Sequence, residues 1–61
     1  MNGKQVIKKL EKEGWKILHS QGSHYRLGKE QKRTTVPVHG NKDLSKGLLA
    51  AIERQTGVKL T

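Results

Sequence analysis

Across Trp15-Lys16-Ile17-Leu18-His19-Ser20-Gln21-Gly22-Ser23-His24-Tyr25-Arg26-Leu27 the apolar period falls to two, which makes the centre of the chain a sheet. Trp15, Ile17 and His19 alternate with Lys16, Leu18 and Ser20 in a run of large side chains, the pattern of a strand. Gln21-Gly22-Ser23 reads as a turn, and His24 to Leu27 as a second short strand. In that strand Tyr25 and Leu27 share the apolar direction, and His24 and Arg26 the polar one. Parity with Trp15 and Ile17 predicts a half-buried His19 with a hydrogen-bond partner.

Toward the N-terminus the period is helical. Asn2 followed three residues later by Gln5 has the form of a capping box, with Met1 and Val6 placed as its hydrophobic staple. Val6, Ile7 and Leu10 then make one narrow apolar stripe between lysines, and Gly14 supplies a left-handed ending after which Trp15 packs back on Leu10. The first helix therefore spans about residues 3 to 13.

Toward the C-terminus, Gly28 to Lys32 is polar and turn-like, and Thr34, Val36 and Val38 alternate with Arg33, Thr35 and Pro37 as a third strand. Pro37 lacks an N–H, which places it at a sheet edge or strand end. After the loop from His39 to Asp43, Ser45 is the favoured cap of a second helix. Its apolar stripe is Leu44, Leu48, Leu49 and Ile52; it ends at Gly57, with Val58 folding back on Ile52. The predicted class is α+β in the order αβββα: a three-stranded antiparallel meander with both helices on one face, and His24 and Arg26 on the open face or its rim. No repeat or low-complexity linker interrupts the chain, so residues 1–61 read as one domain.

A chain of 61 residues buries only roughly 60% of its unfolded surface, so its core is thin. There is no cysteine to staple it or to cage a metal, which fits a reducing cytoplasm. No apolar run approaches the roughly 20 residues of a membrane span. Thirteen Lys and Arg against five Asp and Glu give a net charge of +8, and the pI is about 10.2. Such a balance favours a polyanionic partner, nucleic acid above all; the plain alternative is solubilising charge. A membrane surface fits less well, because neither helix joins a continuous cationic face to a large apolar one.

Three histidines are the only side chains whose ordinary titration lies near neutrality, so acid–base chemistry points first to them. His24 has the best context, opening a strand directly after a glycine turn where a ligand can approach the backbone, although a surface histidine after a turn is also the commonest kind. His39 sits at a strand end near the second helix, with a loop or capping role as its alternative. Neither zinc ligation nor two-metal chemistry is predicted: no two histidines pair on one element, and the five acids are dispersed. Phosphate-loop and serine-nucleophile signatures are missing too. Metal-free RNA cleavage remains, because the substrate brings its own nucleophile, the 2′-hydroxyl. It requires one group to move a proton and cations to hold the phosphate, and it leaves a 2′,3′-cyclic phosphate and a 5′-hydroxyl. Arg26, Lys29, Lys32 and Arg33 lie in and after the segment that carries His24, with Gly22 and Ser23 before it. Lys42 and Lys46 add charge at the start of the second helix, whereas Lys4, Lys8, Lys9 and Lys12 read as a solvated helix face.

The run Gly3-Lys4-Gln5-Val6-Ile7-Lys8-Lys9-Leu10 with Glu13-Gly14-Trp15, then Gln21-Gly22-Ser23-His24, Thr35-Val36-Pro37-Val38-His39, Lys46-Gly47-Leu48-Leu49 and Gln55-Thr56-Gly57-Val58, resembles the HicA toxins. The resemblance covers nearly the whole chain. It implies a fold like that of double-stranded-RNA-binding domains, mRNA interferase activity and a cytoplasmic setting, in a bacterium or phage-encoded. It also implies a HicB-type antitoxin as partner and catalysis by the histidine of the Gly-Ser-His motif, here His24; the residues call for no cofactor, and the role of His39 stays open. Tyr25-Arg26-Leu27 follows where members of that family often have a second polar residue and a longer strand. The competing expectation from the residues is a non-catalytic module that binds double-stranded RNA. A DNA-binding helix protein is disfavoured by the lack of helix-turn-helix spacing.

Overall fold

The computed structural model describes residues 1–60, in the order α1 (Gly3–Lys12), β1 (Lys16–Gln21), β2 (His24–Lys29), β3 (Lys32–Pro37) and α2 (Lys46–Thr56). At the start of α1 the Asn2 side chain accepts from the Gln5 N–H, and the Gln5 side chain accepts from the Asn2 N–H, both at 2.9 Å. This is the reciprocal cap the sequence announces. The helix ends in a Schellman motif: Trp15 N–H donates to the Leu10 carbonyl and Gly14 N–H to that of Glu11, with Gly14 at φ +96°. That turn drops Trp15 into the core, where its indole Nε1 is buried without a partner among the described residues. On α2, Ser45 caps the Leu48 N–H and Gly57 closes the helix at φ +74°.

The three strands form an antiparallel sheet in the order β1-β2-β3, the expected meander. Gly22-Ser23 is a two-residue link with positive φ at Gly22 alone, the pattern of a type II′ turn. Val6, Ile7 and Leu10 of α1, Leu49 and Ile52 of α2, and Leu27 and Val36 of the sheet meet in one core with Trp15 and Leu60. Both helices therefore cover the face that carries Leu27 and Val36, and the other face of the sheet is open. This is the αβββα, double-stranded-RNA-binding-domain-like arrangement read from the sequence.

Three local expectations are corrected. Gly28 and Lys29 belong to β2 and Lys32 to β3, so the second turn is only Glu30-Gln31, with Glu30 itself at φ +56°. Gly28 is in the strand because its bare Cα lies beneath other side chains: a Cβ there would stand 2.8 Å from Leu18 Cδ1 and 3.0 Å from Arg33 Nη1. The hairpin that begins with His24 is accordingly longer than the sequence implied. Finally, β1 carries a bulge: Ile17 pairs with Leu27 and His19 with Arg26, which leaves Leu18 as the extra residue. The bulge takes His19 off the parity of Ile17 and places it, exposed, with Arg26 on the open face.

Candidate functional site

The pleat sorts the side chains of the open face into rows. His24 pairs with Pro37, Arg26 with Thr35 and Gly28 with Arg33, and directly opposed residues point the same way. One row along β2 and β3 therefore runs from His24 through Arg26 to Arg33. Arg26 Nη1 donates to the Thr35 hydroxyl at 2.9 Å, which fixes the guanidinium over the partner strand. Arg26, Arg33 and Thr35 line a cleft of about 300 Å³ with Thr34, Leu48 and Gln55, beside α2. Beneath it the buried Thr34 hydroxyl donates to Gln55 Oε1 at 2.7 Å, tying β3 to the helix.

His24 stands at the other end of that row, exposed, immediately after the Gly22-Ser23 turn. Strand pairing continues past Pro37, where the Val38 N–H donates to the Ser23 carbonyl at 2.7 Å. The chain thus carries His39 to His24: the ring centroids are 6.5 Å apart and the planes cross at 80°. Lys42 follows at once, its N–H donating to the His39 carbonyl at 3.1 Å, and Lys46 is the first residue of α2. Gly22, Ser23, His24 and Arg26 are grouped with His39 by the sheet register. The sequence named both His24 and His39 but gave no reason to join them; that signal lay in the pairing of His24 with Pro37, two residues before His39.

The remaining basic candidates are placed elsewhere. Lys29 and Lys32 face each other across the far end of the hairpin, on the face that carries Leu27. Lys29 Nζ donates to the Glu13 carbonyl at 2.6 Å, at the C-terminal end of α1. Arg33 lies on the open face, but four residues along from His24's pair, about 13 Å at ordinary strand rise. Its Nη1 donates to the carbonyls of Glu30 and Lys32 and so braces the second turn. Lys4, Lys8, Lys9 and Lys12 are exposed on α1, on the opposite side of the sheet.

A second cleft, of about 380 Å³, lies on that helix side between α1 and the sheet, lined by Ile7, Ile17, Tyr25 and Val38 with Lys4, Lys8 and Glu11. It contains none of the histidines. Among the described residues no three His, Cys, Asp or Glu side chains gather as metal ligands, and no helix is long and apolar enough to cross a membrane.

Comparison with known proteins points to one family. Residues 3–58 match the family model described as the HicA toxin of bacterial toxin–antitoxin systems. The chain is also 34% identical over 50 residues to a probable mRNA interferase HicA of Pseudomonas fluorescens (strain Pf0-1), covering 82% of this chain and 83% of that one. No solved structure matches. With nearly its whole length inside the family model, the chain belongs to the HicA toxin family.

Proposed function

We propose that this protein is a metal-independent endoribonuclease that cleaves mRNA, with His24 as its acid–base group. The observation that carries the proposal is the placement of His24: exposed, on the open sheet face, directly after a tight glycine turn and on one row with Arg26. The name of the Pseudomonas fluorescens relative, an mRNA interferase, supports the same reading. RNA lying on this face presents its phosphate to His24 and Arg26 together. His24 exchanges a proton with the 2′-hydroxyl or the leaving 5′-oxygen, while the guanidinium stabilises charge building on the phosphoryl oxygens. Gly22 and Ser23 allow close approach of the backbone to the strand, and Lys42 and Lys46 add positive potential at the start of α2. Arg33 extends the cationic row, and Lys29 and Lys32 contribute to the wider basic field.

Cleavage of mRNA halts translation and growth, so such a chain needs a neutraliser. The fitting partner is a HicB-type antitoxin, acidic where it touches the toxin, that covers His24 and the Arg26 row. The test is a gel assay on single-stranded RNA in excess EDTA, with His24→Ala beside the wild type and the product ends identified. Cleavage by the wild type alone, with cyclic-phosphate ends, is expected. Tight binding of duplex RNA with no cleavage by either protein overturns the reading and makes the domain a non-catalytic RNA-binding module.

A further inference from the structure

Transfer of phosphorus from the 5′-oxygen to the 2′-oxygen moves two protons. One leaves the attacking hydroxyl, and another must reach the departing oxygen on the opposite side of the phosphorus. Each proton needs a group within roughly 2.6–3.2 Å of its own oxygen, and in-line geometry holds the two oxygens apart. One imidazole faces one of them well and the other poorly.

The fold supplies a second imidazole where one is wanted. His24 is paired with Pro37, and the Ser23–Val38 hydrogen bond extends that pairing by one more residue before His39. The two rings are 6.5 Å apart between centroids and nearly perpendicular. Both are exposed, and among the described residues neither ring is engaged in a hydrogen bond or ion pair. The backbone on either side is held, by the Ser23–Val38 bond before His39 and by the Lys42 N–H on the His39 carbonyl after it. His19 lies on the same face opposite Arg26, one pair removed from His24, whose own partner on β1 is Gln21; among the described residues the ring that meets His24 is that of His39.

We infer that His39 is a second catalytic residue and divides proton transfer with His24. This rests on the His24 ribonuclease reading and deepens it. The neutral ring of the pair takes the 2′-hydroxyl proton as the 2′-oxygen lone pair forms the new bond to phosphorus. The bond from phosphorus to the 5′-oxygen breaks with its electron pair on that oxygen, which takes the proton of the other, protonated ring. The products are a 2′,3′-cyclic phosphate and a 5′-hydroxyl, and the two rings have exchanged protonation states, which solvent resets.

The experiment is single-turnover cleavage of one RNA oligonucleotide by wild type, His24→Ala, His39→Ala and His39→Asn. Beside it runs the same oligonucleotide with sulfur replacing the 5′-bridging oxygen at the scissile bond. A thiolate leaves without being protonated, because thiols are far stronger acids than alcohols. Both His39 variants are expected to cleave the all-oxygen RNA about 10²-fold or more slowly, with RNA affinity and melting temperature unchanged. The sulfur substrate is expected to restore one of the two alanine variants and not the other, which identifies the acid. Wild-type rates in His39→Asn, or sulfur restoring both variants or neither, overturn the inference. If the His39 variants cleave normally while His24→Ala is dead, the His24 reading survives alone; if the wild type leaves RNA intact, that reading itself has failed.

Discussion

Gly3, the first residue of α1, is seated against Pro37, the last residue of β3: a Cβ on Gly3 would overlap the Pro37 carbonyl oxygen and approach Val38 Cγ2 to 2.9 Å. The helix N-terminus thus rests on the strand end that delivers His39 to His24. Alanine is the better helix former by about 1 kcal/mol, so on propensity alone Gly3→Ala would stabilise the protein. The backbone contact reverses the sign. Overpacking of this kind costs typically about 1–3 kcal/mol, and a urea titration is expected to show the midpoint falling by a corresponding amount. A raised midpoint would mean that helix and strand separate at no cost.

His24→Gln removes the proton carrier and leaves a polar side chain of similar reach. Because His24 is exposed, its melting curve should overlay that of the wild type, while cleavage in EDTA falls by about 10²–10⁴-fold. Retained cleavage would remove His24 from the chemistry.

Arg26 and Lys29 are three residues apart, carry the same charge and face opposite ways. For Arg26→Gln the dependence of RNA affinity on salt should lose about 0.7 from its logarithmic slope, one phosphate contact on a single strand. For Lys29→Met the slope should change less than in Arg26→Gln. Stability should fall instead, by about 0.5–1.5 kcal/mol, because the Glu13 carbonyl loses its donor. Equal slope changes in the two variants would show that RNA does not distinguish the faces of the sheet.

Glu30 is the only residue other than glycine with positive φ among the described residues. A left-handed conformation costs such a side chain about 1–2 kcal/mol, and glycine adopts it freely. Part of the relief is offset by the greater freedom of an unfolded glycine chain, so Glu30→Gly should stabilise by up to about 1 kcal/mol in a thermal melt. A lower melting temperature would place the Glu30 side chain in a contact that outweighs its strain.

Neutralisation by steric cover makes a prediction about accessibility. Carbethoxylation of the free toxin should modify His19, His24 and His39, all exposed in the isolated chain. In complex with a HicB-type antitoxin, His24 and His39 should be protected, and the complex should melt higher than the toxin alone by mass action. Full modification of His24 in the complex would require inhibition at some other surface.

The helix ends were legible in the sequence because they are local chemistry. Asn2 with Gln5, Gly14 before Trp15, Ser45 and Gly57 each act over a few residues, and each has the conformation its side chain dictates. The alternation of Tyr25 with Arg26 and of Val36 with Thr35 likewise foretold which sheet face is covered. What stayed hidden depends on residues distant in sequence. Gly28 looks like a turn residue until Leu18 and Arg33 are found closing over it, and only then does the turn move to Glu30-Gln31. The bulge at Leu18 has no local mark, so parity with Ile17 predicts the wrong face for His19. The proximity of His24 and His39 belongs to the same class, being a property of strand register.

The displaced register at Leu18 has a colloidal consequence as well. β1 borders the sheet, and Ile17 and Leu18 on it are 43% and 49% exposed. A flat, apolar border strand is a template onto which another copy can zip, edge to edge, and from which fibrils grow. The extra residue breaks the even spacing of its free N–H and C=O groups and twists the border, and Lys16 adds charge beside it. A +8 chain adds repulsion between copies. Straightening the bulge by deleting Leu18 would therefore threaten solubility before it threatened the fold.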